Sequence, residues 1–191
     1  MKHQLGDIQN GLGDSLILNL NETFLLLKTT QSSNATLLYR ATQDGFTAQA
    51  FHSKCDYKKN TLVIIRTNLD YVFGGYTSVE WTSNDTYEID PSAFIFSMRK
   101  CQVTDFKKFN IKPSCVSNAI YSSGVCSVIF GSGHDIKINE NSNTNTESFT
   151  NFGGTYQLPE GLVYDDNDAK NYLAGNYNGW LTTEIEVYQI Y

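Results

Sequence analysis

The sequence predicts a mainly β protein with some helix, built as a two-sheet antiparallel β-sandwich flanked by short helices. Three observations carry this. Aromatic residues make up 13% of the 191 residues, with 12 Tyr and 11 Phe, a bias toward strands over a helical bundle. Seven or more short apolar segments are joined mostly by turn residues, and helical patterns stay near the start. Strand–helix–strand alternation does not recur, so a doubly wound parallel sheet is excluded. Hydrophobic residues at 40% and charged residues at 18% fit an ordered globular chain long enough for a substantial core.

Taken in order, residues 1–13 are polar, carry Gly6, Gly11 and Gly13, and read as a loose lead-in to one domain over residues 14–191. Asp14 to Leu18 is a short apolar segment. Asn21 is expected to cap a helix that runs through Phe24–Lys28, with Glu22 at its positive end. Thr36–Arg40 is a strand, broken by Asp44-Gly45. Thr47 caps a short helix with Ala48, Phe51 and Cys55 on one face. Thr61–Arg66 is apolar enough for a strand covered on both faces. Asn68-Leu69-Asp70 turns it into Tyr71–Val79, where Gly74-Gly75 marks a bulge or a close backbone approach. Thr82–Asp90 reads as loop and Phe94–Met98 as a central strand. Cys101–Ser117 reads as irregular. Ala119–Tyr121, Val128–Phe130 and Ile136–Ile138 are short strands. Asn139–Asn151, rich in Asn, Thr and Ser, reads as an exposed, mobile loop. Thr155–Leu158 is a further strand candidate, Glu160–Asp168 an acidic loop, and Asp168–Leu173 a helical turn. Thr182–Tyr191 alternates, with Ile185 and Val187 opposite Glu184, Glu186 and Tyr188. That is the pattern of a half-buried strand, and it is expected to pair within the sheet.

The net charge of −6 argues against a nucleic-acid surface and against an anionic membrane. No apolar run approaches the roughly 20 residues of a membrane span. Met1–Asn10 lacks the apolar core of a secretory signal, so a cytoplasmic chain is expected. Cys55, Cys101, Cys115 and Cys126 are then reduced thiols. Without Cys-x-x-Cys, and with three His, neither a zinc site nor any cofactor is expected. The sequons at Asn21, Asn34 and Asn84 carry little meaning in an Asn- and Thr-rich chain.

Several constellations could carry chemistry. Gly13-Asp14-Ser15-Leu16 spells the start of a serine-hydrolase motif, but no Asp-x-x-His follows to supply the base that a serine nucleophile needs. His52 and Cys55 share a helix side, where an imidazole could lower a thiol pKa; a packed structural cysteine is the favoured reading. Gly131-Ser132-Gly133-His134-Asp135 lacks the lysine and following helix of a phosphate loop, and reads as a tight turn with a His134–Asp135 pair. Glu184 and Glu186 project from one strand face, about 7 Å apart, as an acid–base pair could; solvent-facing or backbone-bonded carboxylates are the alternative. Asp85, Asp90, Asp165, Asp166 and Asp168 lack the spacing of a calcium loop.

From Leu37 to Trp81 the sequence becomes specific. Leu37 to Phe46, Phe51-His52-Ser53-Lys54-Cys55-Asp56, Thr61–Ile65 and Phe73-Gly74-Gly75-Tyr76-Thr77-Ser78 resemble the TLDc domain, in the stand-alone or BTB-linked form of protists. The likeness continues in Ala93–Ser97, Phe130–Ile136, Tyr172–Gly175 and Glu184–Tyr188, in the family's order. The resemblance implies a β-sandwich flanked by helices, an association with oxidation resistance, and docking on the cytosolic sector of the vacuolar-type proton ATPase (V-ATPase) as a non-enzymatic interaction domain. It also implies a place at organelle membranes through a protein partner. The positions singled out for interaction or as family motifs are Gly74, Gly75, Tyr76, Gly133, His134, Asp135, Glu184 and Glu186. Two other readings stay open: a structural subunit of a cytoskeletal or ciliary complex, and an enzyme using Cys55 or the Glu184/Glu186 pair.

Overall fold

A computed structural model describes residues 12–191, so the first eleven positions of the lead-in lie outside the described residues. The two-sheet antiparallel sandwich is present. The larger sheet runs, edge to edge, β1 (Ala35–Arg40), β10 (Thr182–Ile190), β2 (Thr61–Thr67), β3 (Val72–Thr77), β5 (Phe94–Lys100) and β6 (Val103–Asn110). β2 and β3 form the predicted hairpin. β10 enters between β1 and β2, so the end of the chain closes the sheet. β10 is covered on both faces, not one: Glu184, Glu186 and Tyr188 are as buried as Ile185 and Val187. β5 is central, as its apolar run required.

β6 corrects the expected irregular stretch. Its hairpin turns on Cys101 and Gln102, both with positive φ. Such primed turns match strand twist and usually carry Asn-Gly, so Cys-Gln gives no turn signal in the sequence. Pro113–Asn118 then forms a 3-10 turn. The second sheet runs β4 (Thr86–Glu88), β7 (Ile120–Ser122), β8 (Cys126–Phe130) and β9 (Ile136–Asn139). β4 lies inside the polar stretch expected to be loop; its pairing with β7 comes from tertiary position rather than local propensity. Val63, Ile65, Phe73, Ile95, Ile185 and Val187 of the large sheet meet Ile120, Val128, Phe130, Ile136 and Ile138 of the small one.

The other face of the large sheet is covered by a strap, residues 12–19, and by α1 (Leu20–Thr30). Leu12, Ile17 and Leu26 pack there on Leu62, Ile64, Phe96, Met98 and Tyr188. The helix is capped by Asn19, not Asn21. Asn19 accepts from the Glu22 N–H while Glu22 accepts from the Asn19 N–H, a reciprocal capping box. Glu22 is fully buried. It accepts a bidentate pair from Arg99 at 2.9 and 2.6 Å and a hydroxyl from Thr104 at 2.9 Å. Burial pushes its carboxyl upward, but the Arg99 hydrogen bonds and the Asn19 N–H outweigh that and hold it below the ordinary carboxylate range.

α2 (Ala41–Asp44), unsignalled in the sequence, is one turn between β1 and the left-handed Gly45. α3 (Ala48–Cys55) forms as predicted, with Thr47 as cap and Ala48, Phe51 and Cys55 buried. The Asn-rich segment is anchored rather than loose. Ser142 is buried against Thr182, and Phe149 pairs with Lys137. Thr155–Leu158 makes a single bridge, Ile111 to Tyr156, rather than a strand. α4 (Asn167–Asn171) supplies the expected turn.

Gly74 and Gly75 carry no bulge. They are where β3 is pressed between neighbours: a Cβ on Gly74 would collide with the Val63 carbonyl oxygen, and one on Gly75 would sit 2.6 Å from the Phe130 ring. Gly74→Ala is expected to cost more than ~3 kcal/mol of unfolding free energy, because β2 and β3 cannot separate within a packed sandwich. Gly124→Ala, with 3.5 Å of clearance, should stay within ~0.5 kcal/mol in the same urea titration.

Candidate functional site

The two candidate carboxylates end up inside the protein. Glu186 faces Arg40 across the β1–β10 register, and its Oε1 accepts from Arg40 Nε at 3.0 Å and Nη2 at 2.9 Å. The same oxygen accepts the Leu16 N–H at 2.8 Å. Oε2 accepts the Ser15 hydroxyl at 2.6 Å and the Tyr188 hydroxyl at 3.2 Å. Glu184 accepts from the backbone N–H of Thr42 and Ile185, each at 3.0 Å, and from the Thr42 hydroxyl. It thereby ties β10 to the first turn of α2. Both carboxylates are buried and their lone pairs are engaged, which is the backbone-bonded reading of the pair rather than the acid–base one.

Among the described residues no imidazole is bonded to Ser15. Its hydroxyl donates to a carboxylate already matched by Arg40, and its oxygen accepts the N–H groups of Ile17 and Leu18. The Gly13–Leu16 motif is a capped turn of the strap. No arginine lies near Glu184 and Glu186 in sequence, yet Arg40 lies directly across the strand pair. One signal was available: the chain has three arginines, and each reaches the strap. Arg40 donates to the Asp14 carbonyl, Arg66 to that of Leu16 and Arg99 to that of Ile17.

The Gly131–Asp135 turn contains no His134–Asp135 pair. The Asp135 carboxylate is buried and accepts the backbone N–H groups of Gly153, Thr155 and Tyr156. Burial pushes its pKa up to about 6 against the pull of those donors. His134, in a left-handed conformation, packs its ring edge-on to Phe149. Its pKa is lowered by burial and by nearby Lys137. Gly133 is at the surface beside the Tyr164 hydroxyl, whereas Gly74 and Gly75 are interior. Tyr76 stacks on Phe94 and donates to Asn60.

A feature outside the sequence-derived set is a cleft of about 490 Å³ at the side of the sandwich, lined by Gln49, His52, Ser53, Asp56, Tyr57, Ser83 and Gly124. At its floor His52 Nδ1 lies 2.7 Å from Asp56 Oδ1, and Nε2 lies 3.0 Å from the Cys126 carbonyl. Ser83 donates to the other Asp56 oxygen. His52 therefore does not face Cys55, whose thiol is fully enclosed and pushed far up by burial, chemically a packing group. Tyr57 stands at the rim in a left-handed conformation, 71% exposed. Asp90 is spent on Thr77, Ser78 and Ser92, and Asp165 pairs with Lys170. Among the described residues no group of three or more His, Cys, Asp or Glu is placed to hold a metal, and no helix is long and apolar enough to cross a membrane.

A family model for the TLDc domain matches residues 11–191, and the chain belongs to the TLDc-domain family. No curated protein matches it.

Two measurements test these assignments. Glu186→Ala leaves Arg40, 14% exposed, without its counter-charge and the Ser15 and Leu16 donors without their acceptor, and is expected to cost ~3 kcal/mol in chemical denaturation. For Asp135 the folded pKa of about 6 lies above the ordinary 3.8, so its contribution is fully present below pH 3.8 and lost as the pH rises through about 6. Relative to Asp135→Asn, the protein should be more stable near pH 4 than near pH 7, by up to ~3 kcal/mol.

Proposed function

We propose that this chain is a non-enzymatic docking domain that binds the cytosolic sector of the V-ATPase. It works in the cytoplasm, comes to organelle membranes through that partner, and contributes to oxidation resistance there. Membership of the TLDc family supports the choice of assembly. One structural observation supports binding over catalysis. Glu184, Glu186, Asp135 and Cys55 are consumed inside the fold. The sandwich uses them to hold loops, which leaves its surface as the working part.

The cleft beside α3 is the place where we expect a partner to engage. A left-handed non-glycine residue costs conformational energy, and Tyr57 spends it to hold an aromatic ring outward beside a polar floor. Val125, 73% exposed, follows Gly124 at the opposite rim. An aromatic anchor next to hydrogen-bonding groups is the usual composition of a protein-binding hot spot.

Affinity purification of the tagged chain from its own cells is expected to recover proton-ATPase subunits in near-stoichiometric amount. Tyr57→Ala should reduce that recovery at least ~10-fold, the loss of a typical hot-spot aromatic, with an unchanged melting temperature. Recovery of a different large assembly would replace this reading with that of a structural subunit.

A further inference from the structure

The strap and α1 place their side chains in an unusual way. Toward the sheet the helix turns Glu22, Thr23 and Leu26, two of them polar and all buried. Toward solvent it turns Leu20, 68% exposed, and Phe24, 52% exposed. The spacing i, i+4 puts these two on one face, as one stripe. Leu16, 56% exposed, stands just ahead of it on the strap. A surface helix normally places such residues against its own core, and this core contact is already made by Leu26 with half-buried Leu25 and Leu27 beside it.

The charges at the two ends of the stripe differ in sign. Asp14 is exposed ahead of Leu16, and Lys28 is exposed in the last turn of α1. Glu22, the helix's own acid, is buried on Arg99 and adds nothing to this face. A stripe that is acidic at one end and basic at the other is complementary to itself when reversed. Two copies packed antiparallel bring Leu20 onto Phe24 across a two-fold axis and set each Lys28 near the other copy's Asp14.

We propose that Leu16, Leu20 and Phe24 form a homodimer surface, on which a second copy of this chain packs its own α1 antiparallel. The arginine clamp makes the surface rigid before association. Arg40, Arg66 and Arg99 fix the carbonyls of Asp14, Leu16 and Ile17, so the strap need not order on binding. The stripe offers a few hundred Å² per copy. That is below the ~800 Å² per partner of a stable complex, so the dimer is weak and forms with rising concentration. This inference does not depend on the ATPase reading, and its surface is separate from the cleft.

Sedimentation velocity of the full chain from about 1 to about 200 µM tests it, in the range where an interface of this size associates. The expected result is a monomer–dimer equilibrium with Kd in the tens of micromolar. Leu20→Glu and Phe24→Glu should weaken it at least tenfold with unchanged circular dichroism, since both side chains point outward. Asp14→Lys should weaken it several-fold, and adding Lys28→Asp should restore it. A monomer throughout the range overturns the proposal, as does a Leu20→Glu variant that dimerises like the parent chain. Self-association that is indifferent to the Asp14/Lys28 exchange overturns the antiparallel arrangement.

Discussion

A carboxylate without access to water must be matched by positive charge or hydrogen-bond donors, and Glu186 on β10 imposes that requirement within the large sheet. Its donors come from three distant parts of the chain: Arg40 on β1, Ser15 and Leu16 on the strap, and Tyr188 on β10 itself. Meeting the requirement draws residues 14–16 onto β10, across 170 positions of sequence. Once the strap is there, Arg66 and Arg99 hold its carbonyls and Leu12 and Ile17 cover the sheet. The second core is therefore closed by a polar clamp as much as by apolar contact.

The same device recurs at smaller scale. Glu22 holds α1 to β5 and β6 through Arg99 and Thr104. Glu184 fixes the start of α2. Asp90 gathers Thr77, Ser78 and Ser92. Asp135 gathers the N–H groups of the 153–156 segment. These carboxylates replace regular secondary structure where the chain has little, satisfying backbone donors that a ladder would otherwise satisfy. The cost of removing one is high because each leaves several buried partners unmatched.

The division of labour that follows is clear for function. Glu184, Glu186, Asp135 and Cys55 are interior and committed, His52 and Asp56 line an open cleft, and aromatic and aliphatic side chains such as Tyr57, Val125, Leu20 and Phe24 are displayed. Two displayed surfaces lie on different elements: the cleft beside α3, and the outer face of α1. The first is the surface proposed for a protein partner, the second the one proposed for a copy of the same chain. Glu184 and Glu186, which look like an acid–base pair in one dimension, serve here as internal staples.

The sequence by itself determined the strands whose side chains follow a local rule. The apolar runs at Thr61–Arg66 and Phe94–Met98, the Asn68–Asp70 turn, and the Thr47-capped helix are all where periodicity placed them. These depend on neighbours a few residues away. β4, β6 and α2 were hidden because their residues are polar or carry weak turn signals, and only pairing with distant strands makes them regular. Half-burial of β10 was read from alternation, which reports polarity but not what lies above the polar face. Arg40 and the strap lie above it, so Glu184 and Glu186 are interior. The cleft at His52 and Asp56 was likewise invisible, since its third wall, Ser83 and Gly124, comes from two loops of the other sheet. Local periodicity is written in the order of residues; the identity of the group that satisfies a buried charge is decided by which segments the fold brings together.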